Sequence, residues 1–484
     1  MMSGAQRVEH AFGGSSVDAL FQKLREKLAP VAQEHVLRFW DVLDVAARRR
    51  LAGQIESIDL DVIDQLVRTR VRVDAPVETF DFEPVDVMPL ARTEAQRRAA
   101  DRARERGERL LGEGRVACVV VAGGQGTRLG YDAPKGTFPI GAVSGKSIFQ
   151  LHIERLRALA RRHETRIPLF VMTSETNDAA TRRFFVEHDN FGLDDDDLVV
   201  FVQGIMPAVD LSGKLILDDV DHLFSSPNGH GGVMPALVAS GATDAMRRRG
   251  ITDIYHFQVD NVLSKPADPT FLGFHREAGA DMSSKVTRKR DAAEKVGVTV
   301  KRADGRTACV EYIDLTDEEA NRTEADGSLA FWAGNLCIYW YTVDFAESVG
   351  AEARLPFHLA RKKVPCVDET GRRVEPDEPN AIKFETFVFD ALPLAEKTFV
   401  MELDRAEEFA PVKNATGEDS VASARRAMTE RNARWLEACG VDVPRDADGR
   451  SLYPIEIAPA TALDANALAE NLPDPFTIDG PVLL

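Results

Sequence analysis

The stretch from Val116 to Gly141, VACVVVAGGQGTRLGYDAPKGTFPIG, constrains this chain more than any other. Val116, Ala117, Cys118, Val119, Val120 and Val121 form an apolar, largely β-branched run that predicts a strand buried on both faces. The chain then breaks into Ala122, Gly123, Gly124, Gln125 and Gly126. Glycines there let the backbone turn sharply and bring its N–H groups against a ligand with no Cβ in the way. Arg128 follows at once, and Lys135 comes after Pro134. A buried strand, a glycine loop and two fixed cations describe a phosphate site.

Two better-known loops fit poorly. A dinucleotide fingerprint needs a third glycine where Leu129 stands. A P-loop needs four residues between its glycines, whereas Gly141 to Gly145 encloses three, so Ser144 to Ser147 reads as a turn and helix start.

Composition narrows the class. The formal net charge of −18 excludes a nucleic-acid-binding surface, which needs a basic face, but leaves room for a small anion held by local cations. The cysteines Cys118, Cys309, Cys337, Cys366 and Cys439 contain no C-x-x-C pair, which predicts reduced thiols in a cytoplasmic protein. The opening MMSGAQRVEH is polar and no apolar stretch approaches the ~20 residues of a membrane span, so no membrane contact is expected.

Residues up to about 112 read as a helical region. Leu20, Phe21, Leu24 and Leu28 recur at helical spacing, as do Leu37, Trp40 and Leu43, and Pro76, Pro84 and Pro89 mark a connector before a charged helix over 94–111. A central doubly wound, mostly parallel α/β domain is expected over 113–405. Its further strands are Ile167 to Met172, Leu198 to Val202 and Ile254 to Val259, separated by helical stretches such as Ser147 to Arg162. Such sheets bind ligands at the C-terminal ends of their strands, where the glycine loop, Gln203 and Asp260 all fall. Asp260 suits a turn cap or a magnesium ligand, since Mg²⁺ takes one or two carboxylates plus substrate phosphates. Ser226 to Gly232, SPNGHGG, is a second glycine-rich turn before a helix from Val233. Phe387 and Phe389 alternate, which predicts one strand face, with Lys383 pointing the same way. Residues 406–484 read as a small appended domain with a helix over 423–438 and short strands near Ile455.

The form AGGQGTRLG…PKG resembles the pyrophosphorylase loop of the eukaryotic-type UDP-N-acetylhexosamine and UDP-sugar pyrophosphorylases. The resemblance extends through HVLRFWDVLDVAARRRLAGQIESID, QVDNVLSKPADP, VGVTV, AGN, IKFETFVFD and PVKNA. It implies a nucleotidyltransferase fold and a reaction of UTP with a sugar-1-phosphate, releasing a UDP-sugar and pyrophosphate. It assigns Ala122, Gly123, Gly124, Gly126, Gln203 and Gly229 to the nucleotide. Arg128, Lys135 and Lys413 fall to the phosphates, and Asp260 to Mg²⁺. His230, Gly297, Glu311, Asn335, Lys383, Phe387 and Phe389 fall to the sugar side, where Glu311 and Asn335 suit hydrogen bonding to hydroxyls. N-acetylglucosamine-1-phosphate is the favoured partner. The Gly229-His230-Gly231 form also fits a UDP-glucose or broad-specificity enzyme. Two rivals are a binding protein without turnover and a GTP-dependent enzyme. The first would lack Arg128, Lys135 or Asp260; against the second stand Gln203 and the Gly-His-Gly turn. Monomer and homo-oligomer stay open.

Overall fold

The computed structural model describes residues 18–73, 80–352, 355–473 and 475–484; the polar opening residues and Pro76 lie outside them. Contacts divide the chain into two compact units. One is drawn from Met1–Thr79, Ile205–Gly229 and Pro356–Thr386, the other from Phe80–Gly204, His230–Leu355 and Phe387–Leu484. The units are thus cut at other positions than 112/113 and 405/406, because contacts rather than chain order hold a unit together.

In the first unit, residues 18–28 are helical, followed by helices Val45–Ser57 and Leu60–Leu66. Asp44 and Asp59 cap the latter two by accepting the N–H of Ala47 and Val62. Leu24 and Leu28 are fully buried, as their spacing predicts. Leu37, Trp40 and Leu43 are buried too, but Leu37 and Trp40 lie on short 3₁₀ turns, Glu34–Leu37 and Trp40–Val42, and Leu43 is the extended residue that ends the second, so no α-helix carries them. A strict every-third spacing matches the three-residue turn of a 3₁₀-helix better than the α period. Three antiparallel strands, His358–Lys362, Ala381–Glu385 and Val209–Asp210, complete this unit, with Val209, Ile382 and Phe384 joining the helical core.

The second unit is built on a ten-stranded sheet. In chain order its strands are β1 (Phe82–Pro84), β2 (Val116–Val121), β3 (Leu169–Thr173), β4 (Leu198–Val202) and β5 (Asp253–Gln258). They continue with β6 (Met282–Arg288), β7 (Val298–Arg302), β8 (Thr307–Val310), β9 (Ala333–Thr342) and β10 (Thr398–Glu402). The run β5-β2-β3-β4 is parallel throughout, as the buried apolar strands predict. Every residue of β2 and β3 is buried, between apolar clusters on both faces. Beyond β5 the sheet turns antiparallel through β9 and β7 to β1, while β6 pairs with β9 and runs parallel to β10.

The helices that matter for the site are α1 (Glu94–Gly112), α2 (Ile148–Arg162), α3 (Val233–Ala239), α4 (Pro269–Ala278) and α5 (Val421–Ala438). Thr93 and Gln96 form a capping box at α1, and Ser147 caps α2. The expected strand through Phe387 and Phe389 is absent. Ala381–Glu385 ends before them, and a 3₁₀ segment, Val388–Leu394, follows Phe387. A two-residue alternation is too short to separate a strand from such a turn.

Candidate active site

The glycine loop leaves β2 at its C-terminal end and folds back on itself. The N–H of Gly126 donates to the Ala133 carbonyl at 2.9 Å, and that of Lys135 donates to Gly124 at 3.1 Å. Gly126 has to be glycine: a Cβ there would meet the Tyr131 carbonyl oxygen at 2.8 Å. A Cβ on Gly123 would meet the buried Gln203 amide oxygen at 2.7 Å, so the end of β4 lies directly against the loop. Gly124, Thr127 and Arg128 face solvent, and among the described residues the Arg128 guanidinium makes no hydrogen bond or ion pair.

Two residues that the sequence does not single out hold this loop. Asn177, fully buried, donates from Nδ2 to the Ala122 carbonyl at 2.9 Å and accepts from the Ser174 N–H at 2.9 Å. The Ser174 hydroxyl donates to the Gly123 carbonyl at 2.9 Å. Their signal is polar residues directly after an apolar strand, at the same rim as the loop.

Lys135 and Asp260 meet. The Lys135 Nζ lies 3.3 Å from Asp260 Oδ2, and the two side chains are 18% and 17% exposed. Asn261 then fastens the approach of the 408–412 segment. Its Nδ2 donates to Glu408 O at 2.8 Å and its Oδ1 accepts from the Ala410 N–H at 2.9 Å, while the Val412 N–H donates to Asp260 O at 2.9 Å. Lys413 follows directly and is exposed. One carboxylate beside a lysine fits a cation that keeps phosphate and water ligands, not a protein-only centre. No group of three or more His, Cys, Asp or Glu able to hold a metal occurs among the described residues.

Three residues of the second unit that the resemblance assigns to the sugar, Gly297, Glu311 and Asn335, also converge. The Asn335 N–H donates to Gly297 O at 2.8 Å, and a Cβ on Gly297 would lie 3.1 Å from Glu311 Oε1 and 3.0 Å from Cys309 Sγ. Asn335 sits at a bulge in β9, where Cys337 adopts a left-handed φ of 54°. Bulges of this kind re-aim side chains next to sites. Its Oδ1 accepts from Cys337 N–H at 3.0 Å and from the Tyr339 hydroxyl at 2.8 Å. Burial pushes the Cys337 thiol up to about 12, and the charges it feels after Tyr339 are those of Glu311, Lys413 and Asp260. Glu311, Lys413 and Asp260 therefore lie in one neighbourhood around Cys337. All five cysteines are unpaired.

His230 accepts the Val388 N–H at Nδ1 (3.1 Å) and stacks on Phe387 with ring centroids 5.1 Å apart. Phe389 closes the cluster at 5.8 Å from His230 and 5.0 Å from Phe387. Gly229 and Lys383 belong to the first unit. A Cβ on Gly229, whose φ is +87°, would collide with the Thr386 carbonyl at 2.3 Å. Lys383 Nζ lies 4.9 Å over the Phe224 ring, and burial lowers its ammonium pKa.

Comparison with known proteins shows the family. Residues 74–435 match the family described as UTP–glucose-1-phosphate uridylyltransferase. The chain is 37% identical over 471 residues to human UDP-N-acetylhexosamine pyrophosphorylase-like protein 1, covering 93% of this chain and 92% of that one. It is 40% identical over 349 residues to the UDP-N-acetylglucosamine pyrophosphorylase of Saccharomyces cerevisiae, covering 70% and 73%. The crystal structure of the uridine diphosphate N-acetylglucosamine pyrophosphorylase from Trypanosoma brucei superposes with a TM-score of 0.82 at 27% identity, over 97% of this chain and 98% of that one. This chain belongs to the UTP–glucose-1-phosphate uridylyltransferase family.

Proposed function

We propose that this protein transfers the uridylyl group of UTP to an N-acetylhexosamine 1-phosphate, releasing pyrophosphate. The observation that carries the reading is the Lys135–Asp260 pair, 3.3 Å apart beside a glycine loop at the rim of a parallel sheet. An oxygen of the sugar phosphate attacks the α-phosphorus of UTP in line, and the bond to the pyrophosphate leaving group breaks. The attacking oxygen is already ionised, so no general base is needed and the protein contributes position and charge. The loop N–H groups cradle the phosphates, the exposed Arg128 takes the leaving pyrophosphate, and Lys135 the α-phosphate. Lys413 reaches the sugar phosphate. Asp260 would hold a magnesium ion, which when bound supplies neutralisation of the triphosphate. The unpaired cysteines suit a reducing cytoplasm, and no helix among the described residues is long and apolar enough to cross a membrane.

The amino sugar is favoured by the relatives' names and by the grouping of the polar Glu311 and Asn335 around the side-chain-free Gly297. His230 packs against Phe387 and Phe389, two further residues that the resemblance assigns to the sugar. The test is kcat/KM for N-acetylglucosamine 1-phosphate and glucose 1-phosphate at saturating UTP, read by pyrophosphate release, in wild type and His230→Asn. The N-acetylated substrate is expected to lead by about tenfold or more, a gap of about 1.4 kcal/mol, with a smaller ratio in the variant. A preference of that size for glucose 1-phosphate would replace the amino sugar by glucose.

A further inference from the structure

The second unit contains a cavity of about 220 Å³ that shares no lining residue with the glycine loop, Asp260 or Lys413. Its walls come from α1, α2, α5, the loop leading into α4 and the segment 456–464. Leu151, Leu159, Met428 and Trp435 make much of the wall apolar.

Two buried arginines face this space. Arg155 on α2 is 8% exposed and Arg431 on α5 is 6% exposed, and among the described residues neither forms an ion pair with a carboxylate. The hydrogen bond shown for Arg155 is a long one, Nη1 to His152 Nδ1 at 3.5 Å. Arg431 donates twice to one acceptor, Asn432 Oδ1, at 3.2 and 3.0 Å, and lies 4.6 Å from the Trp435 ring. The carboxylates lining the same cavity have other partners, Glu108 at its rim lying 4.0 Å from Arg104. Asp464 pairs with Arg162 at 3.1 Å and Asp268 with Lys285 at 2.6 Å, while Glu456 accepts the N–H groups of Val143 and Ser144 at 3.0 Å. The buried Ser264 hydroxyl, also in the wall, has no hydrogen-bond partner among the described residues.

Burial, followed by the like charge of Arg431, pulls the Arg155 guanidinium down to about 9; burial brings Arg431 to about 10, so both are charged at neutral pH. Glu154 near Arg155 and Glu407 near Arg431 offset part of this charge without forming an ion pair with either guanidinium. A buried charge with no carboxylate in direct contact is expensive, and two side by side favour a counter-charge between them. Planar guanidinium forks match oxyanions in geometry as well as sign. The size is also informative. A dry cavity of ~150 Å³ admits a benzene ring. The 220 Å³ here leaves room for a ring and one oxyanion group, below the ~300–1,000 Å³ of sites for larger ligands.

We propose that this cavity binds a small organic oxyanion, a phosphomonoester or carboxylate on an apolar body, held between Arg155 and Arg431 with the Ser264 hydroxyl as a third donor. The apolar body packs against Leu151, Leu159 and Met428, and Trp435 reports the event by its fluorescence. The site is separate from that of UTP.

The experiment is a calorimetric and tryptophan-fluorescence titration of the full chain with phenyl phosphate, benzoate and, as the neutral body, phenol. Saturable binding of phenyl phosphate or benzoate is expected, with phenol at least tenfold weaker. Which anion binds more tightly identifies the head group. Saturating UTP should leave that binding unchanged, and Arg155→Gln and Arg431→Gln should each weaken it tenfold or more. No saturable binding of either anion, equal binding of phenol, competition by UTP, or unaffected variants would each overturn the proposal. Should an arginine variant fail to fold, crystals of the wild type soaked in 4-bromophenyl phosphate decide. Anomalous density in this cavity supports the site, and density only elsewhere refutes it.

Discussion

At the scale of single residues, Lys135 and Asp260 matter most. Two opposite charges 3.3 Å apart and mostly out of water satisfy each other. In the proposed reaction the lysine would turn to phosphate oxygens and the carboxylate to a cation. Removing a rigid, well-placed charge of this kind costs roughly 10²–10³ in rate. Lys135→Ala is therefore expected to lower kcat by that factor with little change in KM for the sugar 1-phosphate, and Asp260→Asn to raise the Mg²⁺ concentration needed for half-maximal rate. A Lys135→Ala enzyme turning over near the wild-type kcat would remove the lysine from the chemistry. Full activity in excess chelator would do the same for the metal.

At the scale of elements, α1 and α4 show how a segment that looks unremarkable positions the site. The arginine- and glutamate-rich α1 reads as a solvated helix, and most of it is. Yet Gly107 and Gly273 let the two backbones touch. A methyl at Gly273 would lie 1.7 Å from the Ala103 carbonyl oxygen, and one at Gly107 would lie 1.9 Å from that of Pro269. Neither neighbour is a side chain that can swing away. The loop from Asp260 runs into α4, so this contact fixes where that loop ends. Gly273→Ala is expected to destabilise by about 1–3 kcal/mol or more. Gly53, in helix Val45–Ser57, offers the opposite case, because a methyl there would meet nothing within 4 Å. Alanine at that position should stabilise by about 0.4–1 kcal/mol. Urea denaturation midpoints distinguish the two. If Gly273→Ala unfolds like the wild type, the helices have room to part and the contact does not set their spacing.

At the scale of the whole molecule, acid sensitivity follows from two buried imidazoles. Burial, ahead of the charges of Arg155 and His230 respectively, lowers His152 and His256 each to about 3. The folded value lies below the unfolded one, near 6.5, so between those values the unfolded chain holds protons that the folded chain refuses. Stability is unaffected by these residues above pH ~6.5 and falls beneath it, by about 1.4 kcal/mol per pH unit for each histidine. Denaturant midpoints at pH 7.5 and pH 5.5 should therefore differ less in His256→Phe than in wild type, and equal slopes would contradict the assignment. How much of this was legible in the chain depends on range. The strand, glycine loop and capped helix over 116–162, the parallel strands and the unpaired thiols were readable, because apolar runs, caps and turns are local chemistry. The positions of the glycine loop and Asp260 at strand ends were readable, whereas the sugar-side set was named only through family resemblance. Only the tertiary structure decided that Lys135 meets Asp260 across 125 positions, that His230 stacks on Phe387, and that Phe387 and Phe389 sit at a 3₁₀ turn. It alone put a bulge beside Asn335 and two buried arginines around one cavity. Those facts depend on which distant segments pack together, and a pattern of neighbours along the chain carries no information about partners brought in by folding.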